Sequence, residues 1–171
     1  MQRKKAFIIT GPESSGSVYI SRIISWVVNK DKVYGDWNGY GMNGRVGDKI
    51  VCLHRSQPFG KDKRFFSLSE FESLLNGYDI YFIIATRDGS ISNRSKKKRF
   101  KHTVEEMKAH RVRSKKIIKE ILESKHRSFI WNYETFMYLQ EVYLKELYEF
   151  LGTKKRFSPG DIRDANIKYL K

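Results

Sequence analysis

A short loop of small and hydroxyl-bearing residues is the first place where this sequence predicts chemistry. The apolar segment 6–10 is followed by GPESSGS at residues 11–17, and an amphipathic helical pattern starts at once. Backbone N–H groups in such a loop and at the helix start point toward a bound anion, and Gly16 lets the anion approach closely. The pattern therefore predicts a phosphate site. The predicted binding residues are Ser14, Ser15, Gly16, Ser17 and Val18.

The loop lacks two residues on which ATP-dependent enzymes rely. Its glycines fit the P-loop spacing G-x-x-x-x-G, but Ser17 stands where the lysine would follow and Val18 where the Mg²⁺-binding hydroxyl would follow. A kinase or ATPase needs both groups on its β- and γ-phosphates. The sequence thus favours phosphate binding without ATP chemistry. A nucleotide or polynucleotide kinase with a degenerate loop is the alternative.

Two more candidates follow the next apolar segments. His54 ends segment 49–54, and Arg87 directly follows segment 79–86. Residues at the carboxyl ends of parallel strands face the ligand crevice, and imidazole titrates near neutral pH, so His54 is a candidate base or else a structural histidine. Arg87 suits a phosphate, with Ser95 eight residues later as a further donor. The alternative for Arg87 is a salt bridge with Asp88.

Taken in order, these features resemble the cytosolic sulfotransferases, which use 3′-phosphoadenosine 5′-phosphosulfate (PAPS). The family's loop P-K-S-G-T is similar to Ser15-Gly16-Ser17, its K-T-H-x-P segment to the sequence around His54, and its strand-end Arg with a Ser eight residues later to Arg87 and Ser95. Its Y-E-D segment, followed by a helix ending E-F-L-G, is similar to residues 132–152. The resemblance spans roughly residues 6–152.

The resemblance implies a function and a cofactor. It implies a P-loop-like fold, sulfuryl transfer from PAPS to a hydroxyl or amine acceptor, and no requirement for a metal ion. His54 would be the catalytic base, residues 15–17 would hold the 5′-phosphosulfate, and Arg87 and Ser95 the 3′-phosphate. Tyr133 would pack against adenine or, as the alternative, lie in the core. Arg156 would join the 3′-phosphate from a late basic segment, or belong to a solvated basic tail.

This chain departs from the family at two cationic positions. Ser14 aligns with the loop lysine that contacts the transferring group, and Cys52 replaces the lysine two residues before the histidine. Arg55 or a lysine of the basic segment described below would have to supply the missing charge. Without such a substitute, the protein would bind the nucleotide and transfer nothing.

The apolar pattern predicts the elements that position these residues. Segments 6–10, 49–54, 79–86 and 128–131 are continuously apolar, as in parallel strands covered on both faces. Helical patterns lie at 17–29, 67–75, 103–123 and 135–151, with capping boxes starting at Ser67 and Thr103 and a glycine cap at Gly152. We expect one α/β domain over residues 1–171, a three-layer sandwich whose mostly parallel sheet has about four to five strands. The Gly-rich stretch 30–47 is expected to be a long surface loop, of the kind that often serves as a lid.

The charge distribution indicates an anionic partner. The chain carries a net charge of +15, and residues 94–127 hold fourteen Lys and Arg against four Glu. Such a cluster attracts a nucleotide, an acidic glycan or a lipopolysaccharide. Two alternatives remain open: a solvated helix face, and a non-catalytic nucleic-acid-binding module.

The remaining composition limits the class of protein. Cys52 is the only cysteine and lies in an apolar run, which excludes an intramolecular disulfide and predicts a small buried side chain. The apolar segments are too short to cross a bilayer, so we expect a soluble, cytoplasmic protein with no transmembrane segment. His102, His110 and His126 are expected at the surface, and their spacing predicts no metal site.

Overall fold

The computed structural model describes residues 4–28, 42–43, 47–157 and 162–170. Within these ranges the strands form one five-stranded sheet in the order β2-β3-β1-β4-β5. The strands are β1 (Lys4–Pro12), β2 (Met42–Asn43), β3 (Ile50–Gln57), β4 (Tyr78–Thr86) and β5 (Arg127–Asn132). β3, β1, β4 and β5 run parallel, and the short β2 pairs antiparallel with β3. The prediction of a mostly parallel sheet is confirmed.

Seven helices accompany the sheet in the part of the chain that the structure describes. They are α1 (Ser17–Val28), α2 (Leu68–Leu74), α3 (Gly89–Phe100), α4 (Val104–Leu122), α5 (Tyr133–Leu139), α6 (Glu141–Leu151) and α7 (Ile167–Leu170). Both predicted capping boxes are present, at the starts of α2 and α4. The single helix predicted over 135–151 is wrong, because Gln140 adopts a φ of 45° and separates α5 from α6. Gly152 ends α6 in the left-handed conformation, as predicted.

The helices cover both faces of the sheet. Alternate residues of β1 point to opposite sides: Phe7 and Ile9 join one apolar cluster, and Ala6 and Ile8 join the other. The first cluster is completed mainly by α1, α5 and α6, and the second by α2 and α4. Continuous apolar strands are thus explained by burial on both faces, and the α/β architecture with helices on both sides is confirmed.

The strand order brings the loop after β1, His54 and Arg87 to the carboxyl ends of neighbouring strands. β1 lies between β3 and β4, and in the β1–β3 register Ile9 pairs with His54. The loop after β1 therefore emerges between the strand that carries His54 and the strand that precedes Arg87. At the end of β1, Gly11 has a φ of 145°, and a Cβ there would lie 2.1 Å from the carbonyl oxygen of Ala85. Only glycine allows β1 and β4 to approach so closely before the loop.

Most of the expected lid falls outside the described ranges. Of residues 30–47, the structure describes Met42–Asn43, which form β2, and Gly47. Cys52 is buried in β3, and burial raises the pKa of its thiol to about 12, so it behaves as a small apolar side chain. Across the described chain, every helix is too short or too polar to span a bilayer.

Candidate functional site

The loop after β1, where the sequence predicts a phosphate site, makes a tight turn. Ser14 and Gly16 have φ values of 67° and 84°, and the backbone N–H of Ser15 donates to the carbonyl of Pro12 at 3.2 Å. The hydroxyl of Ser15 is buried and has no hydrogen-bond partner among the described residues. A buried hydroxyl without a partner is unfavourable, so a ligand oxygen at this point would be stabilising. The side chain of Val18, on the first turn of α1, is 43% exposed and is aliphatic.

His54 is tied to this loop through Ser17. Its Nε2 atom lies 2.8 Å from the Ser17 hydroxyl oxygen, and both side chains are buried. Burial, and then the charge of the neighbouring Arg55, lower the pKa of His54 to about 4. The imidazole is therefore neutral at pH 7. It is able to accept a proton, but it is a weak base that directly contacts the loop hydroxyl.

Arg55, one of the two expected substitutes for the loop lysine, contacts a backbone carbonyl and two aromatic rings. Its guanidinium donates to the carbonyl of His54 at 2.7 Å. It also lies over the rings of Phe59 and Phe66, 4.7 and 5.4 Å from their centroids. These contacts place the cation beside the rings of Phe59 and Phe66, next to β3.

Arg87 and Ser95 meet at the loop. A guanidinium nitrogen of Arg87 donates to the carbonyl of Ser14 at 3.4 Å, and the hydroxyl oxygens of Ser95 and Ser14 lie 3.4 Å apart. Asp88, the alternative partner of Arg87, caps α3: its carboxylate accepts from the N–H groups of Ser90 and Ile91, each at 2.9 Å. The eight-residue spacing thus places an arginine and a serine side by side.

A C-terminal segment that the sequence patterns do not indicate covers this pair. The side-chain carbonyl of Asn166 accepts from the Nε atom of Arg87 at 2.8 Å and also from its Nη2 atom. Ser95 donates to the Tyr169 hydroxyl at 3.2 Å, and Arg94 donates to the Tyr169 carbonyl at 2.6 Å. The segment 162–170 contains only the four-residue α7, and so short a helix leaves no periodic signal.

Tyr133 forms a wall of the loop. The nearest ring atom lies 3.0 Å from where a Cβ on Gly16 would be, and the Arg87 guanidinium lies 4.6 Å from the ring centroid. The Tyr133 hydroxyl accepts from the N–H of Ala165 at 2.9 Å, and the side chain is buried. These contacts favour the alternative of a core tyrosine over an adenine platform.

Arg156 lies at the other end of α1. It donates to the carbonyl of Thr153 at 2.6 Å, and the Thr153 hydroxyl donates to the carbonyl of Val27 at 2.9 Å. Because Val27 is ten residues from Ser17 along α1, this position is about 15 Å from the loop. The structure therefore does not bring Arg156 to the other predicted binding residues.

A basic cavity opens beside the loop, between α3 and α4. Its volume is about 640 Å³, within the range of small-molecule sites. Five of its lining residues are cationic: Arg87, Lys96, Arg111, Lys115 and Lys119. Apolar contacts come from Pro12, Ile118 and Leu122, and Glu123 contributes one carboxylate. The basic segment of the sequence is thus not only a solvated face, because part of it lines a concave site.

Among the cations that line the cavity, Lys96 is the candidate to replace the missing loop lysine. Its side chain is buried, with 4% of the residue exposed, and it lines the cavity together with Pro12 and Arg87. Burial lowers the pKa of Lys96, Glu13 of the loop acts to raise that pKa, and Arg111 acts to lower it. A lysine of the basic segment, the other expected substitute, thus interacts electrostatically with Glu13 of the loop.

The histidines of the basic segment differ from their expected surface position. His102 is buried, at 5% exposure, and its Nε2 atom lies 2.9 Å from a carboxylate oxygen of Glu13, so the expectation is wrong for this residue. His110 is half-buried, and its ring lies beside that of His102. His126 is half-buried and pairs with Glu72 at 2.9 Å. Because these histidines have many charged neighbours in the sequence, the sequence pattern predicts a surface position for them.

Comparisons with known proteins give no family for this chain. No protein-family model matches its sequence, and no curated protein matches it. The features that bear on function are therefore those of the molecule itself: the loop after β1, the Arg87–Ser95 pair and the basic cavity.

Proposed function

We propose that this protein is a sulfotransferase that binds PAPS and moves its sulfuryl group to a hydroxyl or amine of an anionic acceptor. The observation that carries the proposal is the convergence of Arg87 and Ser95 on Ser14, within the loop that leads into α1. Two anion sites then lie next to each other. This arrangement suits a nucleotide with phosphates on both the 3′ and the 5′ positions, whereas ADP carries its phosphates on one position only.

The loop is the proposed site of the 5′-phosphosulfate. The N-terminus of α1 favours negative charge, and the buried Ser15 hydroxyl has no other partner among the described residues. Ser17 is held in place by His54 at 2.8 Å. Because His54 is neutral at pH 7, it adds no charge to the loop and remains able to take the proton that the acceptor loses.

The Arg87–Ser95 pair is the proposed site of the 3′-phosphate. The single Asn166 carbonyl oxygen accepts from both Nε and Nη2 of Arg87, the two donors that a phosphate would bind through two of its oxygens. The Ser95 hydroxyl donates one hydrogen bond to the Tyr169 hydroxyl, which the phosphate would replace as its partner. Nucleotide binding would thus exchange neutral side-chain partners for charged ones.

The cavity is the proposed acceptor site. Its cations favour an acidic sugar or a lipopolysaccharide head group, and its apolar lining suits a carbon framework. In the reaction, the acceptor oxygen or nitrogen forms a bond to sulfur, the sulfur–oxygen bond to the 5′-phosphate breaks, and the acceptor proton passes to His54, the proposed base. The positive charge of Lys96 would neutralise the departing 5′-phosphate. In the family this is the role of the loop lysine.

Product formation tests this proposal. The protein is incubated with PAPS and either desulfated heparin oligosaccharides or lipopolysaccharide, and 3′-phosphoadenosine 5′-phosphate is measured. We expect acceptor-dependent product from the wild type, a large loss with Lys96→Met, and little change with Lys97→Met, which removes an exposed charge from the next position of α3. Equal rates in the two variants would contradict the role of Lys96. Absence of product with every acceptor would contradict the transfer reaction.

A further inference from the structure

We propose that Glu13, His102 and His110 form a binding site for a divalent transition-metal ion of the Zn²⁺ type. The three residues each offer one ligand atom, and these atoms all lie within 4.8 Å of one another. This proposal is independent of the proposed sulfuryl transfer, which requires no metal.

The three residues come from separate parts of the chain. Glu13 belongs to the loop after β1, His102 lies between α3 and α4, and His110 is on α4. The His102 Nε2 atom is 2.9 Å from Glu13, with the side chains of the two residues 3% and 15% exposed. The His102 and His110 rings are nearly perpendicular, with centroids 5.2 Å apart. A small inward movement would bring the three ligand atoms to metal-binding distances.

Each of the two histidines has one buried ring nitrogen without a hydrogen-bond partner among the described residues. The Nδ1 atoms of His102 and His110 are both buried, and neither has a hydrogen-bond partner in the described ranges. Buried polar atoms of this kind cost free energy unless something binds them. A metal ion beside Glu13 would replace the proton between Glu13 and the His102 Nε2 atom, and it would give the His110 Nδ1 atom a partner.

The donor set selects the class of metal. Two imidazoles and one carboxylate suit Zn²⁺ and its neighbours, whereas Mg²⁺ and Ca²⁺ prefer oxygen ligands throughout. Three protein ligands would leave one position open, as in sites that bind a water molecule or a substrate.

The neighbouring charges limit the affinity without excluding the metal. Glu106 lies 3.7 Å from the His102 Nδ1 atom and adds negative charge, and it pairs with Lys63 at 2.9 Å. Lys96 also interacts with Glu13 and opposes a cation there. We therefore expect micromolar rather than nanomolar binding. A bound ion would link Glu13 in the loop after β1 to His110 on α4.

The test is titration of the metal-free full-length protein with Zn²⁺ against a fluorescent indicator. We expect one ion per chain, and His110→Gln should weaken binding by about 10- to 100-fold or more, since even second-sphere partners of metal ligands cause losses of that size. His126→Gln is the matched control: His126 forms a similar 2.9 Å pair with Glu72, and within the described part of the chain no third ligand joins it. This variant should bind like the wild type.

Two further measurements keep the test decisive. Circular dichroism shows whether His110→Gln is folded, and Glu13→Gln removes a different ligand if it is not. Co²⁺ should give visible ligand-field absorption with the wild type, weakened in both ligand variants. Wild-type protein that binds no Zn²⁺, or binding that persists unchanged in the folded ligand variants, would overturn the proposal.

Discussion

The guanidinium of Arg87 donates two hydrogen bonds to the side-chain carbonyl of Asn166, 79 residues further along the chain. One of them, from Nε, measures 2.8 Å. The contact places the C-terminal segment over the donors that we assign to the 3′-phosphate. A nucleotide that binds there has to take the place of Asn166.

Removal of Asn166 should therefore strengthen nucleotide binding. Asn166→Ala frees both Arg87 donors, and a hydrogen bond to a charged group contributes about 1.5 kcal/mol or more, so the affinity for 3′-phosphoadenosine 5′-phosphate should rise roughly ten-fold. Isothermal titration calorimetry measures the change. Ile167→Ala, which shortens an exposed neighbour, should leave the affinity unchanged. Weaker binding by Asn166→Ala would show that Asn166 belongs to the bound state and does not compete with it.

The buried His54 predicts a loss of stability in mild acid. Because its pKa is about 4 in the folded protein and 6.5 when the side chain is unperturbed, only the unfolded chain takes up the proton between these values. The contribution of the neutral imidazole is complete above pH 6.5 and is lost as the pH falls to about 4. Its size is about 3 kcal/mol, because a tenfold change in proton affinity corresponds to about 1.4 kcal/mol.

Urea unfolding at pH 7, 5.5 and 4 measures this contribution. In His54→Gln the fall in unfolding free energy over this range should be smaller by about 3 kcal/mol than in the wild type. His126→Gln, which keeps His54, should follow the wild-type pH dependence. Parallel curves for the wild type and His54→Gln would contradict the buried, neutral imidazole.

Two adjacent lysines of α4 distinguish the cavity from a general basic surface. Lys115 lines the cavity, and Lys116, which is also exposed, is not among its lining residues. Lys115→Gln should weaken the binding of a labelled acidic oligosaccharide by up to about five-fold, since exposed charge pairs contribute about 0.2 to 1 kcal/mol. Lys116→Gln should have little effect in the same fluorescence anisotropy titration. Equal losses would favour a non-specific polyanion surface, such as a nucleic-acid-binding face.

Gly11 should be the least replaceable glycine of the site. Gly11→Ala places a Cβ 2.1 Å from a backbone oxygen of β4, so we expect a loss of at least about 3 kcal/mol in unfolding free energy. Gly77→Ala is the control: Gly77 also has a positive φ, 81°, but no described atom lies within 4 Å of its Cβ position. It should cost only about 1 to 2 kcal/mol. Similar losses in the two variants would contradict the close approach of β1 and β4.

The sequence predicts the parts of this structure that local patterns control. Apolar runs identify the four parallel strands, and the Ser67 and Thr103 capping boxes are present as expected. The interruption at Gln140 is not predictable in this way, because a non-glycine residue there adopts a positive φ, which no local pattern indicates. The contacts of Lys96 and Asn166 depend on chain segments far apart in sequence.

The sequence predicts some candidate site residues better than others, because some of their contacts are local and others join distant segments of the chain. Arg87 and Ser95 lie at a strand end and in the helix that follows, so their spacing alone brings them together. The charged neighbours of His102 predict a surface position, yet it is buried against Glu13, 89 residues away. Only the resemblance places Arg156 at the 3′-phosphate, and its contacts hold it at the opposite end of α1.

The most direct test of the central claim is thermal unfolding with 3′-phosphoadenosine 5′-phosphate, ADP or ATP–Mg²⁺ at equal concentration. A ligand at about 100 times its dissociation constant stabilises the folded state by roughly 2.7 kcal/mol. We expect a clear rise in melting temperature with the 3′,5′-bisphosphate that ADP does not match, lost in Arg87→Gln and kept in Arg113→Gln. A rise with ATP–Mg²⁺ alone would favour a kinase, and no rise with any nucleotide would contradict the proposed cofactor site.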